Sequence, residues 1–329
     1  MKIKSVLAPA AAGLALVSTL HAVSIVEDFS HDPALDGWQV FGDASLFQWD
    51  RANHNLRVTW DSSRPNSYFY HPLGMILGRS NDFSVSFDLL LNDYAIGVNP
   101  AQPDTFELAA GFLNFAQATS PDFFRGGYPS QPDLAEFDFF QWDNDFSTNS
   151  VDPTFVDSAN TFADSEYGIV EMPTGMVMRV TLNFTASNQT AVLTVTTNGA
   201  AVVPSASVNL DDATYGVFGN LRLDTFAVES YSGAMAYGSL LAHGAIGNVL
   251  LVVPPPLAIS SLALVNGAGR VQFASQTNWD YVLQTSADLQ TWLPAGPVVG
   301  GTGGNLILQD TNSPRPYQFY RVSAQPADQ

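Results

Sequence analysis

Apolar and polar residues alternate with a period of two along most of the chain. Phe83, Val85, Phe87 and Leu89 interleave with Ser84, Ser86 and Asp88, and Met176, Met178, Val180, Leu182 and Phe184 interleave with Val177, Arg179, Thr181 and Asn183. Residues two apart share one face of a strand, so each run predicts a strand with one buried face. Residues 192–197, then Asn198-Gly199, then 200–203 predict a hairpin, because Asn-Gly tolerates the positive φ that a two-residue turn demands. Beyond residue 22 no 3.6-residue apolar period persists. The expected fold class is therefore all-β, an antiparallel sandwich or jelly roll.

Two places interrupt this pattern. Residues 1–22 carry Lys2 and Lys4, then an apolar run over 6–20 that ends near the small residue Ala22. A charged start, an apolar middle and a small residue at the end predict a secretory signal. The apolar run is shorter than the roughly 20 residues needed to span hydrocarbon, so no membrane insertion is expected once the signal is cleaved. The expected destination is the extracellular space or cell surface, with the periplasm as the other exported compartment. The second interruption is Pro254-Pro255-Pro256, which stiffens the chain into an extended form that neither helix nor central strand accepts. The predicted organisation is a signal at 1–22, a large β-domain at 23–253, a proline linker at 254–256 and a small β-sandwich at 257–326. In the last part short strands are expected at 259–264, 269–274, 281–285, 306–310 and 318–322.

Charge sharpens this division. The chain has 329 residues, 12 Lys and Arg, 31 Asp and Glu, and no cysteine. Both lysines lie in the predicted signal, so the mature chain has ten arginines against 31 acids. Residues 23–256 hold 27 of those acids. Nucleic acid is excluded as a partner, because neutralising phosphates needs clustered Lys and Arg. Zero cysteine removes disulfides and thiolate metal sites, so stability must come from burial, for which a chain of this length suffices.

Several segments in order carry a resemblance: VEDF at 26–29, FSVSFDLLL at 83–91, AEFDFF at 135–140, GMVMRVTLNF at 175–184, and LRLDTFAVESYS at 221–232 running on to SLLAHGAIGNVLL at 239–251. Together they resemble the concanavalin-like lectin and glucanase superfamily, which implies a jelly roll. AEFDFF is similar to the VEFD strand of legume-type lectins, whose Glu and Asp hold metal ions. The resemblance thereby implies Glu136 and Asp138 as ligands, with the Phe140 carbonyl beside them and Asp152 as the later aspartate. Trp142 stands where that family has an asparagine, and no histidine follows until His243. The transition-metal half is therefore missing, and what remains implied is an oxygen-lined calcium site that Asp143 and Asp145 would complete. The last part resembles small fibronectin-like modules of exported bacterial proteins through YVLQTSADLQTW at 281–292, GGTGG at 300–304 and FYRV at 319–322. Trp292 and Tyr320 are expected there as core residues without a ligand.

Residues 133–171 contain ten acids and no Lys or Arg. Carboxylates so dense repel one another unless a cation or ample water intervenes. Asp143 to Asp145 begins like an EF-hand loop but lacks Gly at its sixth place and Glu at its twelfth, which rejects that motif. A retaining glucanase needs two carboxyl groups about one glycosidic bond. Here Phe140 and Gln141 follow Glu136 and Asp138, leaving Glu107 as a distant acid that no spacing places. The mature histidines His31, His54, His71 and His243 have no ligand or triad spacing. For sugar binding, aromatic faces stack on pyranose C–H faces while polar groups take the hydroxyls. Trp142, Phe146, Tyr128 and Phe124 are the candidates beside the acidic stretch, whereas Trp38, Trp49 and Trp60 read as core. The expected function is non-catalytic binding of a polysaccharide or glycoconjugate, with calcium as its implied support and no catalytic residue assigned. Two alternatives stay open: a structural component of matrix or cell surface, and a glycoside hydrolase or lyase with a second acid that the motif does not supply.

Overall fold

A computed structural model describes residues 23–253 apart from 105, 126–130, 141–149, 164–169, 171 and 213–215, and residues 259–326 apart from 266–267, 276–278, 288, 290 and 312–318. The predicted signal at 1–22 and the predicted linker at 254–256 lie outside the described residues. The early strands are β1 (Val23–Glu27), β2 (Gln39–Phe41), β3 (Phe47–Asp50), β4 (Asn55–Asp61), β5 (Ser67–Leu77) and β6 (Phe83–Ile96). Then come β7 (Leu108–Leu113), the single helical turn α1 (Phe115–Ala118), β8 (Leu134–Phe140), β9 (Ser150–Val156) and β10 (Phe162–Ala163). The large unit closes with β11 (Val177–Thr185), β12 (Thr190–Thr197), β13 (Ala200–Ala201), β14 (Ala206–Asn209), β15 (Leu223–Ser230) and β16 (Leu240–Val253).

These strands make two antiparallel sheets. One runs β13-β12-β11-β6-β16-β4-β3, with β1 beside β16 and β14 beside β12. The other runs β10-β9-β8-β7-β15-β5-β2. Period-two alternation decides which side chains meet between the layers. From β6, Phe83 packs edge-on to Phe112 of β7, their centroids 5.2 Å apart, and Phe87 meets Phe137 of β8 at 5.9 Å. Trp38 and Trp60 are buried, as the sequence suggests, while Trp49 is only partly buried and donates its indole N–H to the Phe29 carbonyl at 2.9 Å. The expected Asn-Gly hairpin joins β12 to β13, with φ of 48° at Asn198 and 80° at Gly199.

Beyond the linker, β17 (Ile259–Val265), β18 (Ala268–Ala274), β19 (Trp279–Ser286), β20 (Leu293–Pro294), β21 (Val299–Gly300), β22 (Asn305–Gln309) and β23 (Phe319–Pro326) form two further sheets. One is β17-β18-β22; in the other, β19 pairs with β20, β21 and β23. Val271, Phe273, Tyr281, Leu283, Ala295 and Leu308 give this part its own buried cluster. Tyr320 packs on that cluster and ties its hydroxyl to Asp310 at 2.9 Å. Trp292 departs from the core expectation: it is half-buried and lies beneath the Arg321 guanidinium, 4.4 Å from its ring centroid.

The sequence LAAGFL of β7 prepares the site described next. Gly111 stands opposite Glu136 on β8, and a Cβ built on it would lie 2.4 Å from the Ala135 carbonyl oxygen and 2.6 Å from the Glu136 Cα. Both obstacles are backbone, so they cannot rotate away. Gly111→Val is expected to prise β7 from β8 and cost about 1–3 kcal/mol, read as a lower urea midpoint at unchanged m-value.

Candidate functional site

Strand β8 turns Ala135, Phe137 and Phe139 toward the opposing sheet, so Glu136 and Asp138 point from the other face. Such a face of an antiparallel sheet commonly meets water. Here it does not, because the described residues 114–125 and 131–133 cover it. Asn114 caps α1 by accepting from the Gln117 N–H at 3.2 Å, and the Tyr68 hydroxyl donates to the Ala118 carbonyl at 2.9 Å. Phe123 and Tyr231 pack over the sheet, and Arg125 enters between them and the carboxyls.

Register explains which acids gather. Ala109 on β7 stands opposite both Asp138 on β8 and Glu229 on β15. One short side chain thus separates two acids in one row across the sheet, and Gly111 lies in the next row opposite Glu136. This small-residue floor leaves room for a guanidinium. All five of its N–H donors are engaged. Nη1 donates to Glu107 Oε1 at 2.8 Å and Gln131 Oε1 at 3.2 Å; Nε donates to Glu136 Oε2 at 3.2 Å; Nη2 donates to Glu136 Oε2 at 3.1 Å and Asp138 Oδ2 at 2.5 Å. The Tyr231 hydroxyl donates to Glu136 Oε1. Among the described residues, neither oxygen of Glu229 finds a donor, nor do Asp138 Oδ1 and Glu107 Oε2. Glu229 is 0% exposed.

Four buried carboxyls against one guanidinium cannot all be charged. Burial lifts Glu107 to about 7, with Arg125 opposing the rise and Glu136 adding to it. Burial likewise raises Glu136, against Arg125 and the Tyr231 hydrogen bond. Asp138 and Glu229 are held well above the usual carboxylate range, first by burial; Glu136 then raises Glu229 further, while Arg125 opposes both shifts. Burial alone would lower the Arg125 pKa, but Glu107, Asp138 and Glu136 more than reverse this and keep it cationic. The face is balanced by one arginine and by protons.

The residues singled out from the sequence fall into three groups. Glu136 and Asp138 lie at the centre of the cluster, Asp152 is paired with Asp138 across β8 and β9, and Phe140 sits at the β8 end opposite Ser150. Asp143, Asp145, Trp142, Phe146 and Tyr128 lie outside the described residues. Phe124 is half-buried beside Arg125. Two other acids of the dense stretch serve the backbone. Asp133 accepts from Ser158 Oγ and the Arg222 N–H, and Asp157 accepts from the N–H groups of Ala159, Thr161 and Gly219.

Glu136 and Asp138 as described do not fit a bound metal ion. Both oxygens of Glu136 are taken, by Tyr231 and Arg125, and a guanidinium stands within 3.2 Å of both side chains, where an ion would meet like charge. Among the described residues no three His, Asp or Glu side chains are grouped to hold a metal. No described helix is long and apolar enough to cross a membrane.

A second surface was not foreseen. The loop after β15 presents Met235 and Tyr237, 65% and 84% exposed, alongside the loop after β6. The two loops are laced together. Gln102 donates through Nε2 to the Gly233 and Ala236 carbonyls, the Ser239 N–H donates to the Asp104 carbonyl at 2.8 Å, and the Gly97 N–H donates to the Ser239 carbonyl at 2.8 Å. An aromatic ring is thus held in solvent on a fixed backbone, with the half-buried Asp104 on the adjoining strand of chain.

No family model matches the chain, and no curated protein matches it. Among solved structures, the chain is similar to lectin II from Ulex europaeus, at 14% identity and a TM-score of 0.44, over 71% of this chain and 100% of that one. It is also similar to the Ulex europaeus lectin I in complex with the methyl glycoside of α-L-fucose, at 14% identity, TM-score 0.42 and coverage of 71% and 98%. Peanut lectin with a nine-residue peptide is a further neighbour, at 15% identity, TM-score 0.38 and coverage of 71% and 99%. The antiparallel β-sandwich is read from this chain's own two sheets.

Proposed function

We propose that this is an exported, non-catalytic protein that binds a polysaccharide or glycoconjugate through the paired loops at 97–104 and 231–239. The observation that carries the reading is Tyr237, a large ring left in solvent on a braced loop. Immobilising that loop on binding costs little, because its backbone is already fixed, and the ring offers a flat apolar face to a pyranose while Asp104 offers oxygens to its hydroxyls. The signal-like segment at 1–22 supports export. Burial of Glu107, Glu136 and Asp138 favours binding over hydrolysis, since a general acid must reach the glycosidic oxygen.

The test is retention of the full chain on arrayed and insoluble glycans, compared with Tyr237→Ala. A subset of glycans should retain the protein without releasing reducing sugar, and the variant should bind about tenfold more weakly, roughly 1.4 kcal/mol, while melting at the same temperature. Sugar release would favour the hydrolase alternative. Failure on every glycan together with concentration-dependent assembly would favour a structural role.

A further inference from the structure

We propose that Arg125 is the resident cation of the β8 face, doing through a side chain what a bound divalent ion would otherwise do, so that the folded chain neither requires nor takes up calcium or a transition metal at Glu136 and Asp138. The inference is independent of the glycan reading. It stands on the geometry of one guanidinium bonded to Glu107, Glu136, Asp138 and Gln131 with no donor left over. A planar fork can bridge three carboxyls at once, which a point charge on a lysine stem cannot reproduce. The approach of Arg125 is fixed from several sides. Its guanidinium lies 5.9 Å from the Tyr231 ring centroid, the Asn66 amide ties down the Phe123 carbonyl two residues earlier at 3.2 Å, and Ala109 and Gly111 keep the floor low beneath it. Buried carboxyl and amide oxygens meet every N–H of the guanidinium, and this cation is covalently part of the chain.

Thermal melting of the full chain in chelator and in 5 mM-scale calcium or manganese tests this directly. An ion bound to the folded state alone raises the melting temperature by several degrees when it is present at about 100 times its dissociation constant. The wild-type melting temperature should move by less than about 1 °C between chelator and either metal, a shift far below that expectation. Arg125→Met should melt lower and should now be raised by divalent metal, because the carboxyls have lost their counter-charge. Should that variant fail to fold, the comparison of wild type with Asp138→Asn carries the test. Metal-dependent stabilisation of the wild type that disappears in Asp138→Asn would overturn the proposal. Stabilisation that persists unchanged in Asp138→Asn arises elsewhere on the chain and leaves Arg125 as the cation of this face.

Discussion

Arg125→Met should lose about 3–5 kcal/mol of folding stability at neutral pH, the usual consequence of removing one partner from a buried ion pair and stranding the other charge. For a unit of this size that corresponds to a fall of roughly 10 °C in melting temperature. The cost arises from what is left behind. Glu107, Glu136 and Asp138 each lose a donor at 2.5 to 3.2 Å, in a place where water does not reach them. The effect should therefore be non-additive. Adding Glu136→Gln to Arg125→Met removes one stranded charge, so the double variant should be more stable than the sum of the single losses predicts. Urea unfolding of the four members of this cycle measures the coupling; simple additivity would show that Arg125 contributes packing alone.

Stability should also fall as pH rises. Glu107 titrates near its ordinary value of 4.5 when unfolded and about 7 when folded, so between those limits the folded chain binds more protons than the unfolded one. A group of this kind loses stability with rising pH, at about 1.4 kcal/mol per unit, or roughly 3 kcal/mol over that interval. Burial also raises Asp138 and Glu229, so both add to the decline in the same direction. Glu229 is the clearest probe, because neither of its oxygens has a donor among the described residues. Glu229→Gln keeps the shape and discards the ionisation, so its stability should fall less with rising pH than that of the wild type. A wild-type chain that grows more stable from pH 5 to pH 8 would contradict the account.

The strands and the sheet-facing residues could be read from the sequence, because period-two alternation is local and a strand with one buried face displays it directly. Glu136 and Asp138 on one face of one strand follow from the same rule. The covering of that face does not. It requires Phe123 and Arg125 to lie over β8, and it requires β15 to pair with β7 so that Glu229 shares a row with Asp138; both are long-range facts. Counting charge over residues 133–171 also missed Arg125, which sits just before that window and supplies the cation that the window lacks. Two local signals were present all the same. Glu229 follows the apolar run Phe226-Ala227-Val228, and Ala109-Ala110-Gly111 is a run of small residues where large ones would be expected. Each marks a place where the sheet holds something other than packed hydrocarbon. Tyr237 likewise stands among Gly, Ser and Ala in SGAMAYGS, a setting with too little apolar material to bury it.

Two parts of the acid excess can be placed among the described residues. Part of it, Asp133 and Asp157, fastens loops by accepting backbone N–H groups, and part of it surrounds one arginine at the centre of a buried face. Neither use presents these carboxylates to a ligand. The proposed recognition surface lies instead at the laced loops, where exposed Tyr237 stands next to half-buried Asp104.

The most direct measurement is a glycan array probed in chelator with the full chain and with Tyr237→Ala. The account predicts a defined set of bound glycans that chelator leaves unchanged and that the variant loses. Binding that requires added calcium, or binding that Tyr237→Ala retains in full, would contradict it.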